Sequence, residues 1–255
     1  MPECNHGLEF ALCDICSPPP PHPAQPRAAP PRATTARAAQ ARPTAPGAPR
    51  AASRATAAAP ALDPATARVF HITHVDNLIG IAEQGALLAG AEPLVDISAP
   101  GVRAARAART VGALSVAEHV PFLPSLEAPL WSVIRARGVD PRLALPAAAT
   151  ASDFVVLAAS LRALGEVAVA DGDAAHPLTR ILSDREGRLR MLRAAAADPA
   201  GRGGDAEVLV PHRVPLASIA VVAVGSERAK RLAAEALASG GYRTRVAIHP
   251  PWFQG

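Results

Sequence analysis

Aromatic residues are scarce: the 255 residues include five Phe, two Trp and one Tyr. A core must therefore be built mainly from aliphatic side chains, and 49% apolar residues are enough to build one. Cysteine is scarcer, and all three lie within the first 16 residues. That excludes the disulfide framework of a small secreted fold. No apolar run approaches the roughly 18 residues of a membrane helix. The opening MPECNHGLEF lacks the charged-then-apolar order of a signal peptide. The expectation is a soluble, cytoplasmic protein with no membrane partner. Lys230 is the only lysine among 26 basic residues. Abundant Arg, Ala and Pro read as the codon bias of a GC-rich genome, so their bulk carries no functional signal. Walker, GxGxxG, HExxH and GxSxG patterns are missing too, which leaves out the mechanisms those motifs serve.

The net charge of +4 is unevenly placed. Residues 1–17 carry Glu3, Glu9 and Asp14 and no Arg or Lys. Residues 18–62 carry six Arg and no acid, with 12 Pro in 45 residues. The remainder is nearly neutral, at +1. Residues 18–62 show no hydrophobic period and cannot offset their chain entropy by burial. A disordered, partly polyproline linker is expected there. Its arginines are either solvated spacer charges or loose nucleic-acid contacts made by counterion release. The chain thus divides into a short segment, 1–17, a linker, 18–62, and a globular domain, 63–255.

The first segment holds Cys4, His6, Cys13 and Cys16. Thiolates and imidazole at this spacing suit one tetrahedral zinc ion, and four protein ligands leave no open position for catalysis. Gly7 eases the turn that Cys-x-His demands. The competing reading is a redox Cys-x-x-Cys, but no thioredoxin-like βαβ pattern surrounds it.

In the globular part, VFHIT (69–73) reads as a strand, followed by a helical stretch capped by Asp76 and ended by Gly85. Short helices are expected at 101–109 and 129–137, and FVVLAASL (154–161) is a strand or a helix start. Residues 184–197 and 227–239 read as helices. AEVLVP (206–211), SIAVVAVG (218–225) and RTRVAIHP (243–250) read as strands. Helices and strands mix without a regular βαβ repeat, so the fold class is α+β.

Some polar residues stand where a strand needs only packing. His71 and Thr73 alternate with Phe70 and Ile72 and so share one strand face. His74 and Asn77 follow in the turn. Glu207 sits at the start of an apolar strand after RGGDA, read as a flexible loop. A carboxylate there suits acid–base work or holding a sugar hydroxyl; the alternative is a solvated side chain.

HITHVDNLIGIAEQGALLAG (71–90) resembles the opening motif of the DarT-type DNA ADP-ribosyltransferases, the toxin half of a toxin–antitoxin pair. Later blocks follow the same order: GVRAARAARTVG (101–112), HVPF (119–122), FVVLAASL, ADGDAAHPLTRILSD (170–184), DAEVLVPHRVPLASIAVVAVGSERAK (205–230) and HPPWF (249–253). The resemblance implies an ADP-ribosyltransferase-like fold with two twisted sheets around an NAD cleft. It implies that His71, Ile72, Thr73, Gly80 and Leu88 line the NAD site. It makes Glu207 the catalytic glutamate and Arg106 the base-activating or phosphate-binding arginine of the 103–109 stretch, with Arg109 as the alternative. Its implied partners are nucleic acid, chiefly single-stranded DNA, and a macrodomain-type antitoxin hydrolase. The segment HVPFLPSLEAPLW departs from the family: Leu126-Glu127 stands about where an arginine is expected, and a Glu there repels phosphate. RNA or protein as acceptor, or a non-catalytic nucleic-acid or zinc adaptor, are the other readings.

Overall fold

The computed structural model describes residues 67–201 and 203–254. The proposed zinc ligands Cys4, His6, Cys13 and Cys16, and the linker 18–62, lie outside the described residues. Strand β1 (Arg68–His74) leads through a 3-10 turn, Val75–Asn77, into helix α1 (Leu78–Gln84). Asp76 does not cap this helix. The chain turns helical earlier, so the His74 ring takes the cap position and accepts from Asp76 N–H at 3.3 Å. Gly85 ends α1 with φ +66°, a left-handed conformation that costs glycine little.

Next come β2 (Ala86–Leu88), α2 (Pro100–Ala108), the short strands β3 (Thr110–Val111) and β4 (Leu114–Ser115), β5 (His119–Phe122) and α3 (Pro129–Arg135). Pro100 and Pro129 each open their helix, where a missing N–H costs nothing. FVVLAASL resolves as a strand, β6 (Phe154–Ser160). It is followed by β7 (Ala168–Ala170), β8 (Ile181–Leu182) and α4 (Arg185–Ala197), which Asp184 caps by accepting from Gly187 N–H at 2.7 Å. The chain closes with β9 (Glu207–Pro211), β10 (Arg213–Pro215), β11 (Ile219–Val224), α5 (Glu227–Ser239) and β12 (Val246–Ile248). The last strand is shorter than the 243–250 expected.

Two four-stranded sheets form the frame, ordered β1-β6-β11-β12 and β5-β9-β7-β8. All pairings are antiparallel except β11 with β12. The sheets enclose one shared core. Val69, Leu157 and Val222 reach it from the first sheet, and Phe122, Val169, Val208 and Val210 from the second. α5 adds Ala233 and Leu237, and α4 adds Met191 and Leu192. The outer face of the first sheet is closed by Trp131 and Ile134 of α3 and by Phe253. The outer face of the second sheet carries Ala168, Ala170 and Leu209, under Val116 and Ala174.

The sheets meet at one point. β5 pairs with β9 as far as Phe122 opposite Val208, and the next residue, Leu123, bridges Phe70 of β1 instead. Two main-chain hydrogen bonds hold that bridge, at 2.9 and 2.7 Å. The sheets therefore part beside the first residue of β9, which is Glu207. No helix among the described residues is long and apolar enough to cross a membrane.

Candidate active site

Side chains alternate along β9. Val208 and Val210 enter the shared core, so Glu207 and Leu209 face the other way. The pairing of Glu207 with Ala170 puts small side chains beside the carboxylate. Glu207 is buried, and a buried carboxylate needs partners. Its Oε1 accepts from Ala174 N–H at 2.8 Å. Its Oε2 accepts from Arg106 Nη1, also at 2.8 Å. Both oxygens keep lone pairs for further donors.

Arg106 lies on α2, a helix with no fully buried residue. Its side chain leaves that surface to reach Glu207. Its Nη2 is buried and has no hydrogen-bond partner among the described residues. An orphaned guanidinium N–H beside a carboxylate is ready to take an oxygen of a bound group.

Arg109, three residues on, behaves differently. It donates to three carbonyls, those of Ala174 (3.1 Å), His176 and Thr179. These belong to the 171–180 loop, which also closes on itself through an Arg180–Asp171 ion pair at 2.8 Å. The loop presents Ala174 N–H to Glu207. Of the two arginines, Arg106 touches the carboxylate and Arg109 shapes the loop that holds it. Sequence reasoning missed Ala174, because a backbone donor leaves no signature.

The loop before β9 is not open. A Cβ on Gly204 would lie 2.6 Å from Pro129 Cδ, and one on Gly203 would lie 2.9 Å from Ala195 Cα. These glycines serve close approach to α3 and α4 rather than the loose loop read from RGGDA.

His71 Nδ1 is 2.8 Å from the Pro121 carbonyl. A carbonyl only accepts, so Nδ1 carries the proton and Nε2 is left as an acceptor. Burial lowers the ring's pKa against the opposing pull of that carbonyl and favours the neutral form. Pro121 in turn pairs with Leu209, two residues along from Glu207. Thr73 is buried, and its hydroxyl accepts from Asn77 Nδ2 at 2.9 Å. Asn77 also exchanges two hydrogen bonds with the Val95 main chain, at 2.8 and 2.9 Å, and so holds the 89–99 segment to β1. Ile72 packs on the opposite face, against the Trp131 cluster. Gly80 is exposed with open space where a Cβ would stand, and Leu88 is exposed on β2. The structure therefore brings Glu207 and Arg106 into contact and ties His71 to β5 through Pro121; Gly80 and Leu88 lie on α1 and β2.

His119 lies further along the same sheet, its Nδ1 2.9 Å from the Ser115 carbonyl. Burial is the main cause that lowers its pKa, with Arg106 and His212 adding to the effect. A cavity of about 390 Å³ opens elsewhere, between Leu161, Val167, Arg188 and Leu192. It shares no residue with the Glu207 site. Among the described residues, no group of His, Cys, Asp and Glu is arranged to hold a metal ion.

Comparison with known proteins bears on the family and the fold. Residues 70–254 match the family model described as ssDNA thymidine ADP-ribosyltransferase, DarT. No curated protein matches. Thermus sp. 2.9 DarT in complex with ADP-ribosylated ssDNA shares 22% identity at a TM-score of 0.63, over 73% of this chain and 96% of that one. The same protein in complex with NAD+ gives 23% and 0.57, over 73% and 97%. Thermosipho africanus DarTG in complex with ADP-ribose gives 19% and 0.54, over 73% of this chain and 50% of that one. These likenesses show the shared fold.

Proposed function

Because the chain belongs to the DarT family of ssDNA thymidine ADP-ribosyltransferases, we propose that it moves ADP-ribose from NAD+ to a thymidine base of single-stranded DNA, with Glu207 and Arg106 as its reacting pair. One observation carries this reading. A buried carboxylate is held by a backbone N–H and by an arginine whose second amino group has no partner among the described residues.

The chemistry follows from that arrangement. The bond between nicotinamide and ribose breaks with its electron pair going to the nicotinamide nitrogen. Positive charge develops on the ribose. Glu207 opposes that charge and accepts from a ribose hydroxyl, which orients the sugar. The base nitrogen then bonds to the same ribose carbon, and its N–H proton, made acidic by the new bond, passes to solvent water. Arg106 is always charged, so its part is electrostatic: Nη2 holds a pyrophosphate oxygen while Nη1 keeps Glu207 in place. His71 and Thr73, from β1, and Gly80 and Leu88, from α1 and β2, hold the dinucleotide.

The same reading assigns residues 1–17 to a zinc knuckle, tethered by 18–62 to a transferase domain over 63–255. Zinc on Cys4, His6, Cys13 and Cys16 takes no part in the transfer. Elemental analysis of the full chain is expected to find about one zinc per molecule, lost when 1–17 are removed. The partners are single-stranded DNA and a macrodomain-type hydrolase that removes the adduct, all in the cytoplasm.

Labelled NAD+ with single-stranded DNA, duplex DNA, RNA and protein tests the reaction. Label is expected on thymidine-containing single strands, with one nicotinamide released per adduct. Label on RNA or protein alone would move the acceptor, and the exposed Glu127, which repels phosphate, would favour protein over RNA. No nicotinamide release under any condition would leave a binding protein.

A further inference from the structure

Glu207 and Arg106 reach each other from positions 101 residues apart, and one arginine outside their site holds the approaches to both. Arg142 lies after α3. Its Nε and Nη2 donate to Asp140 Oδ1 and Oδ2 at 3.0 and 2.8 Å. Its Nη1 donates to Asp205 Oδ1 at 2.9 Å, two residues before Glu207. Its carbonyl accepts from Ala99 N–H at 2.9 Å, and Ala99 immediately precedes α2. Around it, Ser98 bridges Leu143, and Ala144 N–H donates to the Ile97 carbonyl at 2.8 Å. None of these bonds is made to Glu207 or Arg106.

We propose that Arg142 is a positioning residue for ADP-ribose transfer, setting Glu207 and Arg106 against one another by clamping Asp205 to the segment that launches α2. The proposal rests on the reading of those two residues as the reacting pair. A surface ion pair stabilises little. This side chain is three-quarters buried, however, and its guanidinium satisfies two carboxylates from one rigid plane. Lysine, a single point charge, cannot make the same three bonds. Transfer needs its groups set closely, and a displacement of about 1 Å can cost on the order of a hundredfold in rate.

The test uses the full chain with labelled NAD+ and a thymidine-containing single strand. Arg142→Ala and Asp205→Asn are each expected to lower kcat about tenfold, with KM for NAD+ within about twofold of the parent. Arg142→Lys should recover the melting temperature but not kcat. The decisive arm repeats both changes in the Glu207→Gln background, with incubations long enough to count the residual rate. If Arg142 acts through Glu207, the tenfold loss disappears there. An equal loss in both backgrounds would make Arg142 merely structural and overturn the proposal, as would a parental kcat for Arg142→Ala. If Arg142→Ala does not fold, Asp205→Asn decides: it keeps the side chain's shape at a partly buried position, and an unchanged kcat overturns the clamp. Glu207→Gln alone, at the parental rate, would instead sink the reading of the reacting pair.

Discussion

Strands β6 and β9 occupy equivalent places: each runs down the middle of a four-stranded sheet and pairs on both sides. β6 reads FVVLAAS and β9 reads EVLVP. Both send alternate side chains into the shared core. They differ in what closes the other face. Behind β6 stands α3 with Trp131, and Phe154 and Val156 are sealed against it at 0% exposure. Behind β9 stand a loop and an arginine, and the first residue is a carboxylate held by a backbone N–H and a guanidinium. A helix covers a sheet face with apolar area alone. A loop brings polar main chain to the face, and so can support a buried charge whose remaining lone pairs await a ligand.

The comparison is broken most severely by exchanging which strand controls which property. Glu207→Gln keeps shape and removes charge. It is expected to cost transition-state stabilisation of about 3–4 kcal/mol, or about 10²–10³-fold in kcat, with a melting temperature close to the parent. Leu157→Ala in β6 should do the reverse. Deleting this fully buried side chain should cost roughly 2–5 kcal/mol of stability, while the folded fraction turns over at the parental rate. Titration in denaturant and steady-state kinetics on both variants read the two effects. A Glu207→Gln protein that melts early but transfers normally would reverse the assignment.

His71→Ala and Thr73→Ala sharpen the comparison on the strand beside β6. His71 keeps a ring acceptor, whereas the Thr73 hydroxyl is engaged by Asn77. His71→Ala should weaken NAD+ affinity about five- to tenfold, near the value of one hydrogen bond. Thr73→Ala should weaken it too, with some loss of stability from the unmatched Asn77 amide. Calorimetry with NAD+ and a thermal melt separate the two. Unchanged affinity with a collapsed melt would make the pair structural.

What was legible in the sequence divides by the range of the interaction. Val- and Ile-rich runs marked β9 and β11, and helical stretches at 184–197 and 227–239 marked α4 and α5, because those signals are local. The strands β7, β8 and β10 are two or three residues long, too short for a period. β5 contains Pro121, which disguises it. The shortening of β12 follows from its single partner, β11, which it meets at only three positions. Glu207 stood out as a carboxylate at the start of an apolar strand, but its catalytic role and the choice of Arg106 came from family resemblance, since neither composition nor spacing joins residues so far apart. The roles of Arg109, Asn77 and Arg142 lie in bonds to backbone or to distant carboxylates, and no pattern of side chains announces such bonds.

The smallest expected effect is in pH. His71 and His119 both have pKa values lowered from 6.5, chiefly by burial. Above pH 6.5 both rings are neutral in the folded and unfolded chain, and neither affects stability. Below it the unfolded chain binds protons that the folded rings resist, so stability falls with pH. The fall ends once pH passes below the lowered folded values. Asp140, held below the usual carboxylate range mainly by its hydrogen bond from Arg142, adds a separate loss only near and under pH 3.8. The melting temperature is therefore expected to decline from pH 7 towards pH 5. His71→Asn and His119→Asn should each flatten that slope, and together they should remove most of it. Leu157→Ala should lower the whole curve without changing its slope, because β6 carries no titrating group. A parental curve that stays flat from pH 7 to pH 5 would mean that both rings take up protons freely in the folded protein, and His71 would then meet NAD+ as a cation rather than as a neutral acceptor.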